Sequence, residues 1–142
     1  MKVLLAFDGS GYSVRAAQYL IKMSEENPAV NVTVITVAEL GEDLVNLLPP
    51  GKVLAEIKES CFDRAREIAA MAVSMFRDAR LEVNSVVKLG EPSRTITGYA
   101  ARENFDLIVM GKHGLNDFKG ILIGSVTRQV ISLSPCPVMV VQ

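Results

Sequence analysis

Tryptophan is absent, histidine occurs once, cysteine twice, and aromatic residues make up only 6% of the 142-residue chain. The two cysteines, Cys61 and Cys136, are far apart, and no CxxC or Cys/His cluster surrounds either. A zinc site is therefore not expected. Long apolar runs are also missing: the longest extend for about five residues, against the roughly 20 needed to span a bilayer. No charge of one sign dominates, since 15 basic and 16 acidic residues leave a net charge of −1. The basic residues are scattered, so neither nucleic acid nor an anionic membrane is an expected partner. The opening MKVLLAFDGS reaches Asp8 too early for the apolar core of a signal peptide, which makes a cytoplasmic location with reduced thiols the expectation.

What is present fits a globular domain. Hydrophobic residues make up 49% and charged residues 22%, and the length is that of one typical domain, residues 1–142. A chain of this size buries roughly 70% of its unfolded surface without disulfides or structural metal.

Strand-like and helix-like segments alternate strictly. KVLLAF, residues 2–7, reads as a strand and is followed by the turn DGSG and a helix from Tyr12 to Glu26, with Ser10 as its N-cap. VNVTVITVA, residues 30–38, is rich in β-branched residues and reads as a second strand. Residues 39–51 contain Gly41, Pro49, Pro50 and Gly51 and read as a long connection. From Lys52 to Arg80, the apolar series Leu54, Ile57, Cys61, Ala65, Ile68, Ala72, Met75 and Ala79 predicts one amphipathic helix with a single core stripe. At about 1.5 Å per residue it outruns any strand, so it either breaks or overhangs the sheet. A third strand is expected over 81–88, a helix opening at Pro92 or Ser93 and running to Glu103, a fourth strand over 106–110, a helix from Ser125 to Leu133, and a last strand over 137–141. Cys136, between Pro135 and Pro137 ahead of that strand, reads as a packing residue.

This β-α-β-α-β-α-β-α-β order predicts an α/β fold, a doubly wound five-stranded parallel sheet with helices on both faces and right-handed crossovers. In such sheets ligands bind at the carboxyl ends of the strands, where the strand order reverses. Two loops there suit a ligand. One is Asp8-Gly9-Ser10; the other is glycine-rich, with Gly111, two residues, Gly114, nine residues, then Gly124-Ser125. Glycines let a backbone approach an anion closely, and Gly124 and Ser125 open a helix whose free N–H groups attract phosphate. The plain alternative is a turn before a helix. The Walker pattern GxxxxGK[ST] is absent, and Val14 stands where a third glycine would complete G-x-G-x-x-G after the first strand.

The pattern G-x2-G-x9-G-[ST], together with VLLAFDGS, GEP before the third long helix and IVMGKHG through PCPVMVVQ, resembles the universal stress protein family over the whole chain. Family members carrying the complete motif are generally ATP binders. The resemblance implies a Rossmann-like sheet of the adenine nucleotide alpha hydrolase-like kind, with strand order 3-2-1-4-5 and Asp8 facing Gly111. It further implies that Gly111, Gly114, Gly124 and Ser125, with Val126 beside them, hold ribose and phosphates. Ala6 and Val37 would flank the adenine, and Asp8 would meet the ribose or a phosphate-bound Mg2+ or Mn2+. His113 lies inside the motif, where it implies backbone positioning near phosphate. Lys112 stands where the family often has a small hydroxyl residue; its charge either assists phosphate or sits in solvent. Asp8 has a plainer role open to it, bonding backbone N–H groups of its own turn. The resemblance also implies a homodimer through the last strand.

These readings make the chain an ATP-binding regulatory or stress-response protein, a nucleotide-dependent switch acting on a protein partner. The alternatives are a slow ATP-hydrolysing enzyme and an interaction module that binds no nucleotide. Against the enzyme, no base, arginine finger or second carboxylate accompanies the motif.

Overall fold

The computed structural model describes residues 1–115 and 122–142. Its elements run β1 (Lys2–Ala6), α1 (Gly11–Glu26), β2 (Asn31–Ala38), α2 (Glu42–Leu47), α3 (Lys52–Asp78), β3 (Asn84–Leu89), α4 (Pro92–Arg102), β4 (Leu107–Gly111), α5 (Ser125–Leu133) and β5 (Val138–Val141). The five strands form one sheet in the order β3-β2-β1-β4-β5. Every neighbouring pair is parallel, with Ala6 opposite Ile35 on one side and Met110 on the other.

The sheet buries both faces, which is why its central strands read as continuous apolar runs. On one face Val3, Leu5, Val34 and Val109 meet Ala16, Ala17 and Leu20 of α1 and Ala72 and Phe76 of α3. On the other, Leu4, Ile35, Ile108 and Met110 meet Ile96 and Ala100 of α4 and Val130 of α5. The two-residue alternation of strand side chains sends neighbours such as Leu4 and Leu5 to opposite layers.

Beyond shifts of one or two residues at element ends, three features differ from the sequence reading. The connection after β2 contains the short helix α2, none of whose residues is buried. Helix α3 is unbroken, but between Leu54 and Ala65 no side chain is buried, so its first half packs little. Its buried positions are Leu54, Ala65, Ala69, Ala72 and Phe76, whereas Ile57, Cys61, Ile68 and Met75 are only partly covered. Cys61 is thus not a core residue; the contact line turns toward small alanines, which let the helix approach the sheet.

Strand β3 starts at Asn84 rather than Leu81 because α3 ends in a left-handed turn. Arg80 has φ 60°, and Leu81 N–H donates back to Phe76 O at 3.0 Å, the closure of a Schellman motif. Leu81 and Val83 spend the next residues packing into the core. Asn104, with φ 54°, ends α4 the same way, with Phe105 N–H on Ala100 O at 3.0 Å.

Candidate nucleotide site at the carboxyl end of the sheet

Strands β1 and β4 are adjacent but their outgoing helices, α1 and α5, pack on opposite faces. A crevice is left between the two loops, the switch point of a doubly wound sheet. It holds a cavity of about 350 Å³, lined among others by Ala6, Asp8, Val37, Gly111, His113, Gly114, Ser125 and Val126. Of the residues that sequence and resemblance single out, Lys112 and Gly124 are not in that lining. The expected loop from Gly111 to Ser125 includes residues 116–121, which lie outside the described residues.

The first loop is built on a tight turn. Gly9 has φ +82°, a conformation that side chains other than glycine's rarely tolerate. Ser10 then caps α1: its Oγ accepts from Ser13 N–H at 3.2 Å. Asp8 Oδ1 accepts from Ser10 N–H at 2.9 Å, the Asx arrangement its sequence suggests. Its second oxygen goes further: Oδ2 accepts from Leu115 N–H at 3.2 Å, in the glycine-rich loop. Ser10 Oγ lies 3.4 Å from His113 O, to which it donates. The Tyr12 and His113 rings meet edge to face at 5.3 Å.

The second loop leaves β4 at Gly111. A Cβ there would stand 2.6 Å from Tyr12 Cβ and 2.7 Å from the Tyr12 carbonyl carbon. Gly111 is therefore bare because α1 crosses β4 at that point, a packing requirement in addition to any ligand contact. Lys112 knits the sheet: its N–H donates to Val141 O at 2.8 Å, and its carbonyl accepts from Gly124 N–H at 2.9 Å. Gly124 is the N-cap of α5 and carries no side-chain cap. The amide N–H groups of Ser125, Val126 and Thr127 follow at the positive end of the helix dipole, and all three residues line the cavity. Thr127, which the sequence reading missed, is buried and its Oγ1 donates to Gly111 O at 3.0 Å, tying α5 to the end of β4.

The inner wall is apolar, with Ile35, Ile68, Pro92, Ile96 and Met110 joining Ala6 and Val37. These residues come from five elements, β1, β2, α3, α4 and β4, so no local motif announces them. Pro92 is set by the cap of α4: the Glu91 carboxylate accepts from Ser93 N–H at 2.9 Å and Arg94 N–H at 3.0 Å. Partial desolvation works against the charged Glu91, but these N–H groups, the Ser93 hydroxyl and the Arg94 charge outweigh it and lower its pKa.

Val37 has a distinctive place. Phe7 N–H donates to Ile35 O and Gly90 N–H to Ala38 O. Parallel ladders alternate sides, so Val37 turns its N–H and C=O toward the β1 side. There the β1 register has already ended, with Ala6 opposite Ile35. The Phe7 carbonyl accepts instead from Thr36 Oγ1 at 3.0 Å. Among the described residues no backbone hydrogen bond from the loop after β1 reaches the Val37 peptide, which leaves one donor and one acceptor on the β1 side, next to the apolar slot that Val37 helps to line.

Profile comparison with known families matches residues 1–142 to the universal stress protein family. The chain belongs to this family. Universal stress protein MJ0531 of Methanocaldococcus jannaschii is 30% identical over 141 residues, covering 99% of this chain and 81% of that protein. The solved structure of MJ0577, from the same organism, superposes with a TM-score of 0.83 at 28% identity, covering 99% of this chain and 94% of that one. The universal stress protein of Archaeoglobus fulgidus, solved in complex with dAMP, shares the fold at a TM-score of 0.73 and 24% identity, covering 100% of this chain and 98% of that one. These two solved universal stress proteins thus share the fold found here. Among the described residues no helix is long and apolar enough to cross a membrane, and no three His, Cys, Asp or Glu side chains cluster as metal ligands.

Proposed function

We propose that this universal stress protein is an ATP-binding regulatory protein, a nucleotide-dependent switch that presents a surface to a protein partner. The observation that carries the reading is the cavity at the β1/β4 crevice. In it an apolar slot with one free peptide edge, at Val37, lies in the same enclosure as the uncapped N-terminus of α5. An adenine ring needs the first, since its amino group donates and its ring nitrogen accepts; a phosphate needs the second. On this reading Ala6 and Val37 flank the base, Ser125, Val126, Gly111 and Gly114 border the ribose and phosphates, and Gly124 stands behind them as the N-cap of α5. The complete motif and the dAMP complex of the Archaeoglobus fulgidus relative support the same reading.

On this reading Asp8 meets a ribose hydroxyl or a phosphate-bound Mg2+ or Mn2+. Each of its oxygens accepts one N–H and keeps a lone pair, so the carboxylate fits one place in the coordination of an ion held mainly by phosphate oxygens. Such an ion would neutralise phosphate charge. His113, held by the Tyr12 ring and through its carbonyl by Ser10, fixes the course of the loop at the phosphates. Leu115, Leu122 and Ile123 are exposed, and on this reading they belong to the partner surface that nucleotide occupancy biases. Strand β5, whose outer edge lies at the border of the sheet, joins a second copy in a homodimer.

The test is to denature the purified protein, chromatograph the released small molecules, and repeat with Gly124→Val. Gly124 has φ −62° and ψ 157°, a conformation open to valine. ATP from the wild type and none from the folded variant is the expected result. ADP in place of ATP would point to turnover. No nucleotide, with no binding of added ATP, would overturn the reading in favour of an interaction module.

A further inference from the structure

The Asp8 carboxylate does more than hold its own turn. It spans two loops, accepting one N–H from Ser10 and one from Leu115, at 2.9 and 3.2 Å. Both Asp8 and Leu115 line the cavity. A backbone N–H that follows Gly114 in a glycine-rich loop and is turned toward a cavity is the kind of donor that an anionic oxygen takes. Here the anion that takes it belongs to the protein. The neighbouring contacts hold the carboxylate at that place: Ser10 Oγ to His113 O, the Tyr12–His113 ring contact, and the abutment of Gly111 on Tyr12.

We infer that Asp8 is a built-in anion occupying one phosphate-seeking N–H of the glycine-rich loop, so that it grades nucleotides by the number of phosphates they carry. The inference rests on the nucleotide reading above and assigns the selectivity of that same site. A ligand without phosphate leaves the Asp8–Leu115 bond in place. A ligand whose phosphate chain extends along the loop must displace the carboxylate or lie beside it, against like-charge repulsion. Glu39, which also lines the cavity, adds to that repulsion, and the α5 N-terminus opposes it. Asp8 therefore weakens binding in the order ATP, then AMP, then adenosine, whenever no cation bridges the charges.

The experiment measures dissociation constants of adenosine, AMP and ATP by calorimetry in a metal chelator, for the full wild-type chain and Asp8→Asn. Asparagine keeps an acceptor for Ser10 N–H and is at home in this turn, so the change removes charge with little change of shape. Asp8→Ser serves the same purpose if the asparagine variant does not fold. ATP should bind about tenfold tighter to the variant, the effect of one nearby charge in a partly solvated site. AMP should gain less and adenosine least; a ribose contact of Asp8 is common to all three ligands and cancels in the ratios of their affinities. Exchange of the Leu115 amide hydrogen should also be faster in the free variant. Unchanged or weaker ATP binding at unchanged adenosine affinity would overturn the inference, as would an equal shift for all three ligands. Failure of the wild type to bind any of the three would bring down the nucleotide reading and the inference together. Binding of all three with the same affinity ratios in variant and wild type would bring down the inference alone.

Discussion

Gly111 and Tyr12 touch backbone to backbone: a methyl group on Gly111 would stand 2.6 Å from Tyr12 Cβ and 2.9 Å from Ser13 N. The first glycine of the loop therefore lets α1 lie against the end of β4, and the switch-point crevice depends on that approach. Gly111→Ala forces helix and strand apart, and overpacking of this kind costs about 1–3 kcal/mol. Thermal melting should show a clear fall in Tm, with nucleotide affinity falling as well because the two walls of the crevice shift. A variant with unchanged Tm would mean that the helix yields freely and that the glycine serves something else.

Glu91 supports the cavity from the other side, since its carboxylate caps the helix that carries Pro92 and Ile96. Glu91→Ala should cost about 1 kcal/mol at neutral pH, the usual worth of an N-cap side chain. The folded-state pKa is lowered, so the contribution is fully present above the ordinary glutamate range and is lost as pH falls through the lowered value. Urea denaturation at several pH values should show wild type and variant separated at neutral pH and converging in acid. A gap that stays constant down the series would show that the carboxylate charge contributes nothing.

The proposed dimer makes a separate prediction. All four residues of β5 are only partly buried, and among the described residues one edge of the strand has no neighbour in the sheet. Such an edge invites pairing with its own copy, and an edge lysine blocks it. Val140, which lies in neither of the two core clusters, is the position for Val140→Lys. Light scattering should give about twice the 15.4 kDa chain mass for the wild type and the single-chain mass for the variant. A wild type that runs at 15.4 kDa would rule the dimer out.

Much of this protein was legible in the residue order because its signals are local. Period-two and period-3.6 patterns, the Ser10 cap and the glycine spacing each depend on residues a few positions apart, and strict alternation leaves a parallel sheet as the natural packing. The same signals located the crevice, since its rims are the two loops that leave β1 and β4. Strand β3 shifted because a left-handed Arg80 carries no sequence mark comparable to glycine, and α3 buried Ala69 and Phe76 ahead of Ile68 and Met75 because its rotation against the sheet is a property of packing. The order 3-2-1-4-5 came to the sequence reading only by resemblance, since alternation fixes which strands are parallel and leaves open which are neighbours.

By itself, then, the sequence determined the α/β class, the main elements and the two loops that rim the crevice, because each is encoded within a turn or two of chain. Tertiary structure alone decided the apolar wall of Ile35, Ile68, Ile96 and Met110, the free peptide of Val37 and the reach of Asp8 to Leu115. These arise where strands end at unequal heights and where residues far apart in the chain are brought within hydrogen-bonding distance, and no local pattern records that.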